Sequence, residues 1–393
     1  MAAKQELRSL EMFTGAGGLA LATHEAGFEH EALLEWNVDA CRTLRTNAKR
    51  HAHSGVDDWN VIEGDVRSVD FRLFEGLDLV AGGPPCQPFS IGGKHQGKQD
   101  DRDMIPEFIR AVRQIRPRAF IMENVKGLTR QTFRNYFSYV TLQLTYPEIR
   151  LRSGEQWNSH LSRLETIHSK GRYDGLHYNV NYRVLNAADF GVPQTRERVF
   201  IVGFRSDLRA SWHFPNPTHS RDTLLAEQWL TGEYWERRGL KLPRQPEHVS
   251  IPRARLESLP TMKNLSWKTV RDALVGLPEP KLTGHPRFQN HRLQPGAKTY
   301  VGHTGSAIDW PSKTLKAGDH GVPGGENMIL FPTGEVRYYS IREAARVQTF
   351  PDSWIFEGAW TEAMRQLGNA VPVGLARIVA ESVAVELRKH ADG

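Results

Sequence analysis

Cysteine is nearly absent: the 393 residues hold only Cys41 and Cys86. No CxxC pair and no His/Cys ligand spacing occurs, so neither a disulfide framework nor a metal site is expected, and a reducing cytoplasm fits. Long apolar runs are missing too. None approaches the roughly 18 residues that a bilayer span needs, so no membrane partner is expected. The start, Met1 to Phe13, scatters Lys4, Glu6, Arg8 and Glu11 among its apolar residues and lacks the apolar core of a secretion signal. Internal repeats and low-complexity tracts are absent. What remains, 39% hydrophobic and 24% charged, is the composition of a globular enzyme-sized chain. Single cores rarely grow beyond about 250 to 300 residues, so one large domain and a smaller one are expected.

The net charge of +6 suits a polyanionic partner without requiring one. Its placement is more informative. Residues 205–304 hold 16 Lys or Arg against 9 Asp or Glu, so the excess of positive charge sits in this one segment. The same segment holds ten of the 22 prolines, four of the ten tryptophans and six of the 16 histidines, a composition of loops. It is expected to form a separate basic module, leaving 1–204 and 305–393 as the main domain.

In that main domain short apolar runs alternate with amphipathic stretches: SLEMF, Gly18 to Ala26, EALLEW, Val38 to Ala48, VIEGDV, LDLVAGG, Met104 to Ile115, RAFIMENV, NYRVL and RERVFIVGF. This order predicts an α/β fold, Rossmann-like, with a mostly parallel sheet covered by helices on both faces. Ligands of such sheets sit at the carboxyl ends of the strands. The polar stretch Thr141 to Asn181 reads as an insertion, and Val373 to Leu387 as an amphipathic helix.

The loop after the first run, Phe13-Thr14-Gly15-Ala16-Gly17-Gly18, opens a helix, where glycines let a ligand approach the backbone. Glu35, 20 residues beyond Gly15, ends the second strand and is placed to accept from ribose hydroxyls. Trp36 beside it is placed to cover an adenine. Asp65, followed by Val66, ends the third strand and is placed to accept from an adenine amino group. Such glycines also make plain tight turns, and such acids cap helices. Adenosine binding is the expectation, and a nicotinamide dinucleotide is served equally well.

A second loop, Gly82-Gly83-Pro84-Pro85-Cys86-Gln87-Pro88-Phe89-Ser90, leaves the same edge. An isolated cysteine is usually a small buried hydrophobe; one between prolines in a Gly-rich loop is not placed like a core residue. In order along the chain, FTGAGG, GGPPCQPFS, ENV, QTRERV and GNAVP resemble the C5-cytosine DNA methyltransferase family. The resemblance covers about 8–205 and 305–385, and the basic segment falls in the gap. It implies a class I methyltransferase fold with a target-recognition domain at 205–304. It implies S-adenosyl-L-methionine as cofactor, S-adenosyl-L-homocysteine as product and no metal. Double-stranded DNA is the implied partner of a monomer, with a cognate restriction endonuclease as possible companion.

By motif, Cys86 matches the nucleophile, Glu123 the catalytic carboxyl, and Arg196 and Arg198 the arginines that hold the target base. Phe13, Gly15, Gly17, Gly18, Glu35, Trp36, Asp65, Val66, Asn369 and Val371 match the cofactor side. Departures are Ala20 at the third glycine position, Gly92 where many members have Ala, and the 141–181 stretch.

The chemistry explains these residue types. Cytosine C5 is a poor nucleophile until a thiolate adds at C6, and a thiolate forms most easily near a helix start or a cation. Glu123 after AFIM is placed to protonate N3, and the two arginines, two positions apart on a strand, share one face. No side chain stands out as the base that removes the C5 proton, which leaves an ordered water. A target base inside a duplex has to be rotated out, with Ser90, Gln87 and Gly92-Gly93 as candidates to follow it. A tRNA-acting relative, a nicotinamide-dependent dehydrogenase and a non-catalytic DNA-binding protein are the competing expectations.

Overall fold

The computed structural model describes residues 6–50, 59–86, 103–243, 264–301, 303–317 and 325–390. Seven strands form the central sheet: β1 (Leu7–Met12), β2 (Phe28–Glu35), β3 (Val61–Glu63), β4 (Leu79–Gly82), β5 (Ala119–Val125), β6 (Tyr178–Asn186) and β7 (Glu197–Arg205). Their order is β3-β2-β1-β4-β5-β7-β6. All neighbours pair in parallel except across β7, which is antiparallel to both β5 and β6. The sheet is therefore mostly parallel, with one reversed strand.

Period-two alternation sends successive side chains to opposite helical layers. Along β5, Ala119 and Ile121 join one core, with helix α1 (Gly18–Glu25) and the C-terminal helix Val373–Lys389. Phe120 and Met122 join the other, with helix α3 (Ile105–Ile115), helix α4 (Arg134–Thr145) and helix α5 (Trp157–Lys170). Helix α2 (Val38–Arg50) follows β2 and contributes Leu44 to the first core. In α3, Ile105, Phe108, Ile109, Val112 and Ile115 make a continuous stripe, all buried, each contributing about 1.5–3 kcal/mol by transfer from water. The helix ends where Arg116 turns left-handed.

The polar 141–181 stretch is not a loop: it holds the end of α4, all of α5 and the start of β6. Leu161 and Leu164 of α5 close the second core. His160 is fully buried, its ring bonded to the Tyr139 hydroxyl and the Ile149 carbonyl.

Among the described residues of 205–304 the helices and strand pairs are short: Arg221–Trp229, Glu233–Glu236, Val270–Leu274 and the two-residue pair His219–Ser220 with Leu265–Ser266. Leu224, Tyr234, Trp235 and Trp267 form a small core of their own with Ala188. Hydrogen bonds cross both expected boundaries. Trp267 donates to Asp189, while Tyr234 and Arg271 both bind Asp309.

From β1 the chain proceeds to β2 and β3 on one side, then crosses to β4 on the other. A crevice opens where the order reverses, at the carboxyl ends of β1 and β4. Both motif loops leave the sheet there.

Candidate active site

A cavity of about 720 Å³ fills that crevice. Phe13, Gly15, Gly18, Glu35, Trp36, Asp65, Val66, Cys86, Glu123, Arg198, Asn369 and Val371 all line it. Two of the expected residues do not. Gly17 points away: a Cβ there would lie 2.9 Å from Leu44 and Trp354, so it serves packing beneath α1. Arg196 is fully buried behind the wall, and its guanidinium donates to the Leu315 and Gly368 carbonyls at 3.0 and 2.7 Å. Its charge still acts on Glu123, but its hydrogen bonds brace the chain before Asn369 instead of facing a base. The loop residues Gln87, Ser90, Gly92 and Gly93 lie outside the described residues.

On the β1–β3 side Glu35 is held by backbone amides. Glu35 receives the Gly15 amide at 2.7 Å on one oxygen, and the Trp36 and Asn37 amides at 3.0 and 2.8 Å on the other. Gly15 has a positive φ, and nothing stands within 4 Å of where its Cβ would be. At Gly18 a Cβ would come within 2.4 Å of the Val371 carbonyl, so only glycine lets the 369–371 turn close over α1. The Trp36 side chain is 71% exposed. Asp65 both caps the short turn Val66–Ser68 and pairs with Arg67, whose hydrogen bonds hold its carboxyl below the usual range.

On the β4–β5–β7 side the polar groups are held by one another. Glu123 is buried at the end of β5 and bonds Arg198 Nε at 2.9 Å. Burial pushes its carboxyl up, with Arg198 and then Arg196 opposing. Gly83 leaves room for it, since a Cβ there would meet Glu123 Oε2 at 3.0 Å. Asn124 donates to the Pro84 carbonyl at 3.0 Å and so fixes the start of the Pro-Pro-Cys loop. Cys86 is 6% exposed. Burial, then the Asp103 carboxylate, push its thiol up. A cation that would favour the thiolate is not among the groups acting on it in the described residues. Cys41, the other cysteine, is buried in α2 with its thiol against the Glu35 carbonyl.

Glu11 escaped the sequence reading. It stands in β1 and lines the cavity; Oε1 accepts from Thr23, while Oε2 is buried with no hydrogen-bond partner. Burial pushes its carboxyl up to about 8. The signal was present: a lone carboxylate inside a strand buried on both faces costs too much to be incidental.

A buried thiol, a carboxyl with an arginine partner and the Glu35–Trp36–Asp65 rim open on one cavity. The model of C-5 cytosine-specific DNA methylases matches residues 7–146 and 158–384. The chain belongs to this family. It is a DNA cytosine-5 methyltransferase. Only 147–157 falls outside the matched ranges within this span, so the interruption is far shorter than the 141–181 stretch expected. The methyltransferase is 30% identical to the Type II methyltransferase M.NgoMIV of Neisseria gonorrhoeae, covering 98% of this chain and 99% of that one. It is 33% identical to the Type II methyltransferase M.Eco47II of Escherichia coli, covering 97% and 79%. The Dnmt2 methyltransferase structure from S. pombe shares its fold, with a TM-score of 0.54 at 16% identity over 98% of this chain and 99% of that one.

Proposed function

We propose that this methyltransferase uses Cys86 to attack C6 of a cytosine in double-stranded DNA, with S-adenosylmethionine in the other half of the cavity. The observation that carries this reading is that Cys86 and the Glu123–Arg198 pair open onto the same cavity as Glu35, Trp36 and Asp65.

The residues present fit the cofactor. Glu11 offers an orphaned, buried carboxylate oxygen to a cationic ligand, Trp36 an exposed ring to an adenine, and Glu35 and Asp65 acceptors to ribose and adenine donors. Phe13, Gly15, Gly18, Val66, Asn369 and Val371 complete that wall. When bound, S-adenosylmethionine supplies an electrophilic methyl group and departs as S-adenosylhomocysteine.

Glu123, which burial favours in its protonated form, donates to N3 as the thiolate adds, drawing electron density from C6. Arg198 fixes the Glu123 carboxyl and presents its remaining donors to the base. Arg196 acts one step back, as a positioning residue. The target base is rotated out of the duplex at a cost of a few kcal/mol, and water removes the C5 proton. The basic segment 205–304 is the target-recognition module, its Lys and Arg placed on phosphates and base edges. The Type II names of the relatives support a cognate restriction endonuclease on the same site. A monomer in the bacterial cytoplasm fits these relatives and the scarcity of cysteine; no described helix is long and apolar enough to cross a membrane.

The test is transfer of labelled methyl from S-adenosylmethionine to unmethylated genomic DNA and, separately, to tRNA, followed by bisulfite mapping. Wild type is expected to label DNA cytosines in one short motif, and Cys86→Ala to lose transfer by at least about 10⁴-fold while still binding DNA. Full activity of Cys86→Ala would sink the mechanism, and label on tRNA alone would overturn the substrate.

A further inference from the structure

The proposed mechanism leaves open where the Cys86 proton goes, and burial favours the protonated thiol. Glu123 on β5 is engaged by Arg198 of β7, and neither is among the groups that act on the Cys86 thiol, where Asp103 is the charged one. Asp103 stands just before α3. Its Oδ1 accepts the Ile105 amide at 3.1 Å, and its Oδ2 accepts the Tyr136 hydroxyl from α4. The intervening Met104 amide donates to the Pro85 carbonyl at 3.0 Å, which pins the start of α3 against the residue before Cys86. Met104 and Cys86 line the cavity together, and Tyr136 shares the buried apolar cluster of Cys86. The thiol also acts on Tyr136, whose own ionisation is pushed up by burial and Asp103.

A carboxylate beside a nucleophilic thiol has an electrostatic cost, because it holds the proton on sulfur. Accepting the Ile105 amide needs one carboxylate oxygen and does not require this neighbour. The placement is explained if the carboxylate is the destination of that proton.

We propose that Asp103, steadied by Tyr136, accepts the Cys86 proton as the C–S bond forms; this rests on Cys86 being the nucleophile. The S–H electron pair stays on Sγ and makes the bond to C6, the C5–C6 π pair moves to C5, and the proton passes to an Asp103 oxygen. After methylation, water takes the C5 proton, that C–H pair restores the C5–C6 double bond, and the C6–S pair returns to sulfur. The sulfur then takes back the proton from Asp103. A general base in this position contributes about 100-fold.

Asp103→Asn in the full chain separates this role from holding the Ile105 amide, because it moves two readouts in opposite directions. Iodoacetamide alkylation, mapped to the Cys86 peptide by mass spectrometry, is expected to speed up about tenfold at pH 7.5. A thiol freed from a neighbouring negative charge ionises at lower pH. Single-turnover transfer from tritiated S-adenosylmethionine to unmethylated genomic DNA is expected to fall about 100-fold, with a rate that climbs from pH 6 to 9 as hydroxide replaces the base. Asp103→Glu is expected to recover part of the transfer, and Tyr136→Phe to lose an intermediate share. Wild-type transfer by Asp103→Asn overturns the proposal. So does a parallel fall in alkylation, transfer and melting temperature in both Asp103 variants, which marks Asp103 as structural. Transfer retained by Cys86→Ala removes the parent reading, and the proposal with it.

Discussion

The two halves of the cavity are stabilised differently. Where the cofactor is proposed to lie, acidic side chains are satisfied locally: three backbone amides converge on Glu35, and Asp65 takes an amide and the guanidinium of Arg67, two residues on. Where the base is proposed to react, side chains far apart in sequence satisfy one another across neighbouring strands, as Glu123 of β5 does with Arg198 of β7. A half built from backbone tolerates loss of a side chain as a local loss of affinity. A half built from buried charges loses stability and chemistry together, because removing one partner strands the other.

The sharpest probe of this contrast is Glu123→Ala. It leaves Arg198 buried and unpaired, so denaturant unfolding is expected to show a loss of about 3–5 kcal/mol, with methyl transfer down at least about 100-fold. A loss under about 1 kcal/mol would break the comparison, since the pair would then be dispensable for folding.

Glu11 is the exception on the cofactor side and the next largest effect. Its folded pKa, about 8, lies above that of an unfolded glutamate. The stability it contributes is therefore fully present below about pH 4.5 and is lost as pH rises through about 8. Wild type and Glu11→Gln should melt alike near pH 4.5, while at pH 8 the variant gains on the order of 3 kcal/mol relative to wild type. A gap independent of pH would mean that Glu11 is solvated or already paired.

The smallest effect belongs to Trp36, whose side chain packs against little in the protein. Trp36→Ala is expected to weaken S-adenosylmethionine binding about five- to tenfold by calorimetry, without moving the melting temperature. A shift in melting with unchanged affinity would reverse the assignment of Trp36 to the ligand.

Backbone-built features were the legible ones. FTGAGG, EALLEW and VIEGDV announce strand ends and tight turns locally, and the cavity lines up Gly15, Glu35 and Asp65 in the expected order. The misplacement of Arg196 has a simple cause. A shared face for Arg196 and Arg198 assumes a strand through both, but β7 begins at Glu197, so the period of two does not reach back to Arg196. Pairing across elements left no local trace either. Nothing near Cys86 in sequence announces Tyr136, and an apolar strand buried on both faces reads the same whichever way it runs.

That last ambiguity has a geometric consequence. Val125, at the carboxyl end of β5, sits opposite Arg198, at the amino end of β7. Were β7 parallel to its neighbours, Arg205 would occupy that edge, and Arg198 would face the opposite rim, roughly 24 Å away at 3.4 Å per residue. The direction of one strand thus decides whether an arginine preceding VFIVGF belongs to the reaction centre or to the far side of the molecule.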